Sequence, residues 1–351
     1  SFSDKGTIAL SGTYFNKKGN LLGYAKSKGG SDWKEFFIRD LRSGEDLNDH
    51  LQWIKFSGMS WSGDGFYYSR FPEPEEGEEL DASNENSSVY YHKLGDKQQK
   101  DKLVFSDSDN PKISNYIDTS FDEKYVYLYR TQGTHGTALY YSTTGYDEHN
   151  FIPIVDNFDY DHSVIGNIGD TLFLHTNYNA PNWRMVKFSI HSPSTENWID
   201  VLHETKHPLN SISLVQGIFL AKYSVDVSSR LFVFSLEGEQ EYEVELPTIG
   251  TAYGFGGRQD DTEVFYNFTS FAYPTTIFRF DIATYDSNIY KKSQVNIDFS
   301  RYETKQVFYT SKDGKKIPMF VTHKKLKQTP VHFFRVTNKT AGSFFPRVFE
   351  F

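Results

Sequence analysis

Short runs of alternating apolar and polar residues cover most of this chain, and one six-residue run returns at near-regular intervals. Its copies are Phe36–Leu41, Val89–Leu94, Leu139–Thr144, Met185–Ile190, Leu231–Leu236 and Ile277–Ile282. Their last residues are spaced by 53, 50, 46, 46 and 46 positions, close to the period of about 40 to 50 residues of a four-stranded propeller blade. Ahead of most copies stands an apolar stretch, a Gly, Asp or Asn turn, and a second apolar stretch, which together read as a hairpin. Trp61–Tyr68, Phe121–Leu128, Asn167–Leu174 and Arg258–Phe265 are examples. Two hairpins per repeat make one antiparallel sheet that cannot bury both faces alone, so sheets stack radially around a channel and cover one another. The pattern therefore predicts an all-β fold, a β-propeller with six blades. The competing reading is a β-sandwich with accidental periodicity, but sandwich turns recur every 8 to 12 residues or so without a longer period.

Two segments depart from the repeat. Glu73–Glu85 is acidic, interrupts the second repeat and so accounts for the long first step of 53, and reads as a solvated loop between strands. After Ile282 the period ends; Lys305–Lys325 reads as one long hairpin around Asp313 and Gly314, with apolar positions on both arms. The Phe-rich stretch Leu326–Phe351 sustains neither helical nor alternating order and receives no fold.

Composition supports this picture. At roughly 150 residues per domain, 351 residues would suggest about two domains, a prior that repetition overrides. Aromatic residues make up 17 % of the chain, which favours pleated strands. No run of about 18 apolar residues occurs, so no membrane partner is expected. With a net charge of −9 and no basic stripe, no nucleic-acid partner is expected either. The absence of Cys removes disulfides, thiolate nucleophiles and Cys-type zinc sites, and fits a reducing compartment. Ser1–Gly6 carries no secretory leader, so the expected location is cytoplasmic, or periplasmic had a leader been removed.

Candidate chemistry is sparse. His203, Glu204 and His207 match H-E-x-x-H, a zinc pattern that needs a helix to set both imidazoles on one face. Pro208 follows at once and the match falls between repeats, so no metal site is assigned. The G-x-S-x-G turn of α/β-hydrolases is absent; Gly58–Ser62 comes nearest, with Trp and Ser where small residues are needed. Asp159, Asp161 and His162 could form an acid/base pair or metal site, but a solvated loop between blades is the reading adopted. Sequons at Asn86, Asn267 and Asn338 mean little without evidence of secretion. Residue chemistry alone thus gives a propeller with no catalytic residues and no cofactor.

Several stretches resemble the prolyl oligopeptidase family of serine peptidases: Gly30–Trp33, Lys55–Trp61, Asp260–Phe271, and above all Ser311–Val321 followed by His323–Lys325. Their order and spacing agree from Ser1 to Lys325. Oligopeptidase B, which cleaves after basic residues, is the alternative relative; Phe265–Phe271 and Pro318–Lys325 favour the proline-specific branch. The resemblance implies a seven-bladed propeller that filters access to an α/β-hydrolase domain, whose Ser/Asp/His triad cleaves short peptides after proline. It divides the chain into a propeller portion at 1–290, the start of the hydrolase domain at 291–328 and a divergent tail at 329–351. The match begins within the family's second blade, leaving six blades here. The family would continue into a Tyr-Gly-Tyr-Gly-Gly-Phe oxyanion segment, where this chain runs Thr329-Pro330-Val331-His332; a shift of reading frame is the expectation, tested by sequencing the DNA across Gln328. Of the family's substrate-facing positions, Phe56 matches the aromatic residue lining the proline-side pocket, while those near Ser114 and Thr134 differ in residue type. The implied partners are short proline-containing peptides and the enzyme's own hydrolase domain, so this chain alone would be inactive. The alternative function is a non-catalytic binding module.

Overall fold

The computed structural model describes residues 3, 6–79, 81, 83–143, 149–295 and 297–325. Thr144, the end of the third repeat copy, and the tail 326–351 with Gln328 lie outside them. Six four-stranded antiparallel sheets follow one another. Blade 1 comprises β1 (Ile8–Phe15), β2 (Leu21–Lys28), β3 (Lys34–Asp40) and β4 (Asp46–Ile54). Blade 2 comprises β5 (Ser60–Ser62), β6 (Gly65–Arg70), β7 (Ser88–Lys93) and β8 (Lys102–Phe105). Blade 3 has β9 (Ser114–Thr119), β10 (Tyr125–Thr131), β11 (Thr137–Thr143) and β12 (Ile152–Val155). Blade 4 has β13 (His162–Ile168), β14 (Thr171–Thr176), β15 (Arg184–Ser189) and β16 (Ile199–Leu202). Blade 5 has β17 (Leu209–Val215), β18 (Ile218–Val225), β19 (Ser228–Phe234) and β20 (Gln240–Val244). Blade 6 has β21 (Thr251–Gly256), β22 (Glu263–Ser270), β23 (Tyr273–Asp281) and β24 (Ser287–Lys292). Helix is confined to three 3₁₀ turns among the described residues.

The six-bladed propeller expected from the repeat is the architecture found, and each recurring run is the third strand of a blade. Within every sheet the strands are ordered as in the chain, so first-to-second turns lie on one face of the ring, the far face. Second-to-third turns and the links between blades lie on the other, the near face. The hairpin β25 (Tyr302–Thr310) and β26 (Lys316–Lys324) turns at Asp313 and Gly314 as predicted. It touches near-face turns: Gln306 Nε2 donates to the Asp226 carbonyl and Phe320 packs on Phe271 at 5.7 Å.

Stacking explains the burial pattern. In β10, five consecutive residues from Tyr125 to Tyr129 are buried, because blades cover both of its faces. In β22 burial alternates: Val264, Tyr266 and Phe268 pack on blade 5, while Phe265 and Asn267 face away. One apolar cluster joins each successive pair of blades. Among the described residues none joins blade 6 to blade 1.

A buried polar network also ties blade 1 to blade 2. His92 on β7 bonds Asp101 Oδ1 through Nδ1 at 2.7 Å and Asp49 Oδ1 through Nε2 at 3.0 Å. The Gly95 N–H also donates to Asp49, and the Tyr68 hydroxyl donates to Asp101. Burial opposes charge on the ring, but the hydrogen bonds and negative charges of Asp101 and Asp49 outweigh it and raise the His92 pKa to about 9.

Candidate functional site

Phe56 follows the end of β4 on the near face. Its backbone is left-handed, with φ of 53°, and Trp53 shares that conformation at 62°. A bulky residue held there costs on the order of 1 to 2 kcal/mol, which neighbouring contacts must offset. The segment is pinned by the Phe71 N–H donating to the Trp53 carbonyl at 3.1 Å and the Ser69 N–H donating to Ser57 Oγ at 2.9 Å. The Phe56 ring stands 60 % exposed and meets buried Phe71 edge-on at 6.4 Å. Phe71 in turn meets Trp33 at 6.4 Å, and Trp33 meets Trp53 at 5.5 Å, both nearly perpendicular. Lys55 Nζ sits 3.8 Å over the Trp33 ring and donates to Asn84 Oδ1 at 2.9 Å. Burial lowers the Lys55 pKa, against the opposing charge of Asp32. The result is an apolar ring presented to solvent from a packed aromatic base.

The acidic stretch is the β6–β7 loop, as read from the sequence, and it docks on this base through the Glu79 carbonyl, which accepts from Trp33 Nε1. Ser114 opens β9 and Thr134 lies exposed in the β10–β11 turn, so both share the near face with Phe56.

The second feature is the channel between the inner strands. A cavity of about 430 Å³ lies just inside its far mouth, where β9, β13, β17 and the Gly257–Gln259 turn converge. Small residues, Ser163, Gly166, Ser213 and Gly257, leave the space open. Above it the β21–β22 turn reaches across the ring: the Gln216 N–H donates to the Gln259 carbonyl, and Gln259 Nε2 donates to the Asn167 carbonyl at 3.3 Å. Arg258 and Lys17 lie 5.6 and 4.6 Å from the centre of the Phe121 ring. Sequence reading missed this convergence, because its partners belong to different repeats.

The remaining candidates are structural. His203–His207 is an extended link after β16 in which Glu204 accepts from the Asn182 N–H, so the two imidazoles do not share a helix face. Asp159 stays in an exposed loop, but the reading of Asp161 and His162 as solvated needs correcting. Asp161 bonds the Gly136 N–H and the Asn177 side chain, fastening blade 3 to blade 4. His162 is buried in β13 beside Thr176, and burial lowers its pKa to about 4. Nothing local in the sequence gives a sign that Gly136, 25 residues away, claims the Asp161 carboxylate.

Stacked four-stranded sheets around a channel, with an aromatic platform on the face that receives the following hairpin, define a β-propeller domain. The family model for the prolyl oligopeptidase N-terminal β-propeller domain matches residues 1–293, and the chain belongs to that family. A prolyl endopeptidase of Elizabethkingia miricola is 41 % identical over 327 residues, covering 92 % of this chain and 46 % of that protein. A dual function macrocyclase-peptidase of Galerina marginata is 30 % identical, covering 93 % and 48 %. The solved structure of prolyl oligopeptidase B from Galerina marginata with a 35mer hydrolysis and macrocyclization substrate superposes with a TM-score of 0.83 at 27 % identity, covering 92 % and 48 %. The chain therefore spans about half the length of the relatives it matches.

Proposed function

We propose that this chain is the access and recognition portion of a proline-specific serine endopeptidase, with Phe56 contacting the proline region of short peptides. The observation that carries this is the Phe56 ring itself, exposed and held in a strained backbone by Phe71 on the near face. An exposed aromatic ring with a rigid base offers apolar area at little entropic cost, and a proline ring is a matching apolar surface. Catalysis requires a nucleophile, its base and oxyanion donors acting together, and the reading assigns those groups to a hydrolase domain that acts beside the propeller. Blades around the channel would then admit flexible peptides and turn away folded proteins.

Trp33 and Trp53 report on this platform. Titrating the chain with N-acetyl-Ala-Gly-Pro-amide should change tryptophan emission in a saturable way, and Phe56→Ala should weaken that binding about tenfold with little change in melting temperature. Equal binding by the variant would overturn the assignment of Phe56. A fluorophosphonate serine probe should leave the chain unlabelled; stoichiometric labelling would overturn its inactivity alone.

A further inference from the structure

The β21–β22 turn, residues 257–262, is the longest of the first-to-second turns and lies over the far mouth. It is stiff within itself. The Arg258 N–H donates to Asp261 Oδ2 at 2.7 Å, the Asp261 N–H donates back to the Arg258 carbonyl at 3.1 Å, and Arg258 Nε pairs with Asp260 at 3.3 Å. A Cβ at Gly257 would lie 2.7 Å from the same Asp261 oxygen, so the turn closes this tightly only around glycine. Where it leaves β21 the chain reads Gly254-Phe255-Gly256-Gly257, and the pairing with β22 slips between Gly254 and Gly256. Gly254 and Phe255 have φ of 82° and 70°. A bulge flanked by glycines is a point about which a chain can swing. Phe255 itself is buried and meets Phe280 edge-on at 5.3 Å, which fixes the pivot.

What fastens the turn to the other blades is polar and shallow. Gln216 of blade 5 donates its N–H to the Gln259 carbonyl and its Nε2 to the Asp260 carbonyl, each at 2.9 Å. Gln259 Nε2 reaches the Asn167 carbonyl of blade 4 at 3.3 Å, long for such a bond. Arg258 rests 5.6 Å from the centre of the Phe121 ring of blade 3, and Lys17 of blade 1 lies 4.6 Å from the same ring, so two like charges share one weak acceptor. Residues 257–262 take no part in the apolar cluster that holds Phe255, Val264 and Tyr266 on either side of them. A segment held in this way opens at lower free energy than the strands it joins.

We propose that residues 257–262 are a hinged lid: the turn swings as one piece about Gly254–Gly257, leaves Gln216, Asn167 and Phe121, and opens the cavity of about 430 Å³ at the far mouth while the blades stay folded. Stiff bodies on short hinges expose a site without unfolding what surrounds it. Closed, the lid bars the channel at that end. Open, it admits a flexible chain and still no folded domain. That the chain admitted is a peptide substrate rests on the function proposed above; the motion itself does not.

Amide hydrogen exchange on the whole chain, resolved to single residues, tests the lid, because the Gln216 N–H is donated to it from outside. In the unaltered protein Gln216 should exchange at least tenfold faster than the strand amides of β18 and β22. Gln259→Ala removes the bond to Asn167 yet keeps the carbonyl that Gln216 uses, and should speed Gln216 exchange a further three- to tenfold; Phe121→Ala should do the same. Arg258 and Asp261, bonded within the lid, should keep their rates in both variants, as should β18 and β22. Gln216 protected like β22 and unmoved by Gln259→Ala would make the turn a fixed part of blade 6 and overturn the lid. Arg258 and Asp261 accelerating with Gln216 would show the turn unravelling instead of swinging, and would overturn it equally. The chain has no Cys, so Ser213→Cys places a single thiol in the cavity, and its alkylation by iodoacetamide should quicken with Gln259→Ala; an unchanged rate would overturn the opening of the cavity. Should the variants not fold, the unaltered protein decides: exchange at Gln216 through a lid should barely respond to low urea, and a response matching that of the β22 amides would refute it. Tryptophan emission reads the Phe56 platform separately. Peptide binding there with an immobile turn refutes the lid alone, and a mobile lid without a peptide response refutes the peptide reading alone.

Discussion

His92 shows how one side chain makes the joint between two blades sensitive to pH. Its pKa in the folded chain, about 9, lies above the ordinary value of 6.5. The charged ring therefore favours folding in full below pH 6.5, and that contribution fades as the pH rises toward 9. A shift of this size corresponds to about 3 kcal/mol. Asp49 behaves in the opposite sense. Burial works against its charge, but the bonds from His92 and Gly95 prevail and hold its pKa below the usual carboxylate value. Its contribution is present above about pH 4 and lost in acid. Melting temperature should accordingly fall between pH 7 and pH 10 by more than the rest of the chain accounts for. His92→Gln leaves two buried carboxylates without their cation and should cost on the order of 3 to 5 kcal/mol at pH 7, with a flatter alkaline limb in thermal melts. An unchanged alkaline slope in the variant would show that His92 is neutral in the folded chain.

Between elements, close approach of backbones sets what the turns tolerate. Gly238, in the β19–β20 turn, has φ of 86°, and a Cβ there would lie 1.9 Å from the Val201 carbonyl oxygen of blade 4. Gly314, in the final hairpin, has nearly the same φ of 82° but nothing within 4 Å. Gly238→Ala should therefore destabilise by about 2 to 4 kcal/mol and Gly314→Ala by about 1 kcal/mol, compared by urea melts. Equal losses would mean that backbone strain alone governs both. Strands such as β11, β15 and β19 were legible in the sequence because their alternation and turn residues are local. Even the acidic insertion fell where the pattern placed it. The partners of Gly238, Asp161 and Gln259 were not legible, since they lie tens of residues away and depend on how blades stack. Phe56 could be singled out only through its family pattern; nothing local announces its left-handed backbone.

Across the whole molecule, the two end blades differ from those between them. Blade 6 turns Tyr253, Phe265, Ile277 and Tyr290 outward around a groove of about 380 Å³, with Tyr253 and Tyr290 56 % and 62 % exposed. Blade 1 instead covers its outer rings with charge: Tyr24 and Arg39 share Asp46, and Lys26 lies over Phe37. Apolar sheet faces of this kind drive association, and repeat folds draw much of their stability from neighbouring units. Sedimentation at micromolar concentration should show association between copies, reduced when Tyr253 and Phe265 are both replaced by Ser; a monomer at all concentrations would show that the end faces protect themselves. The turn that crosses the far mouth has a different consequence, felt while the chain is being made. Gln259 meets Asn167 over a separation of 92 residues. At roughly 5 to 20 residues per second, a nascent chain waits about 5 to 20 s between exposing one partner and releasing the other. Blades 1 to 5 can fold as they leave the ribosome and tie neighbouring far-face turns to one another, as Gly63 to Glu123 and Asn167 to Asp122, yet the channel acquires its lid only when the last blade emerges.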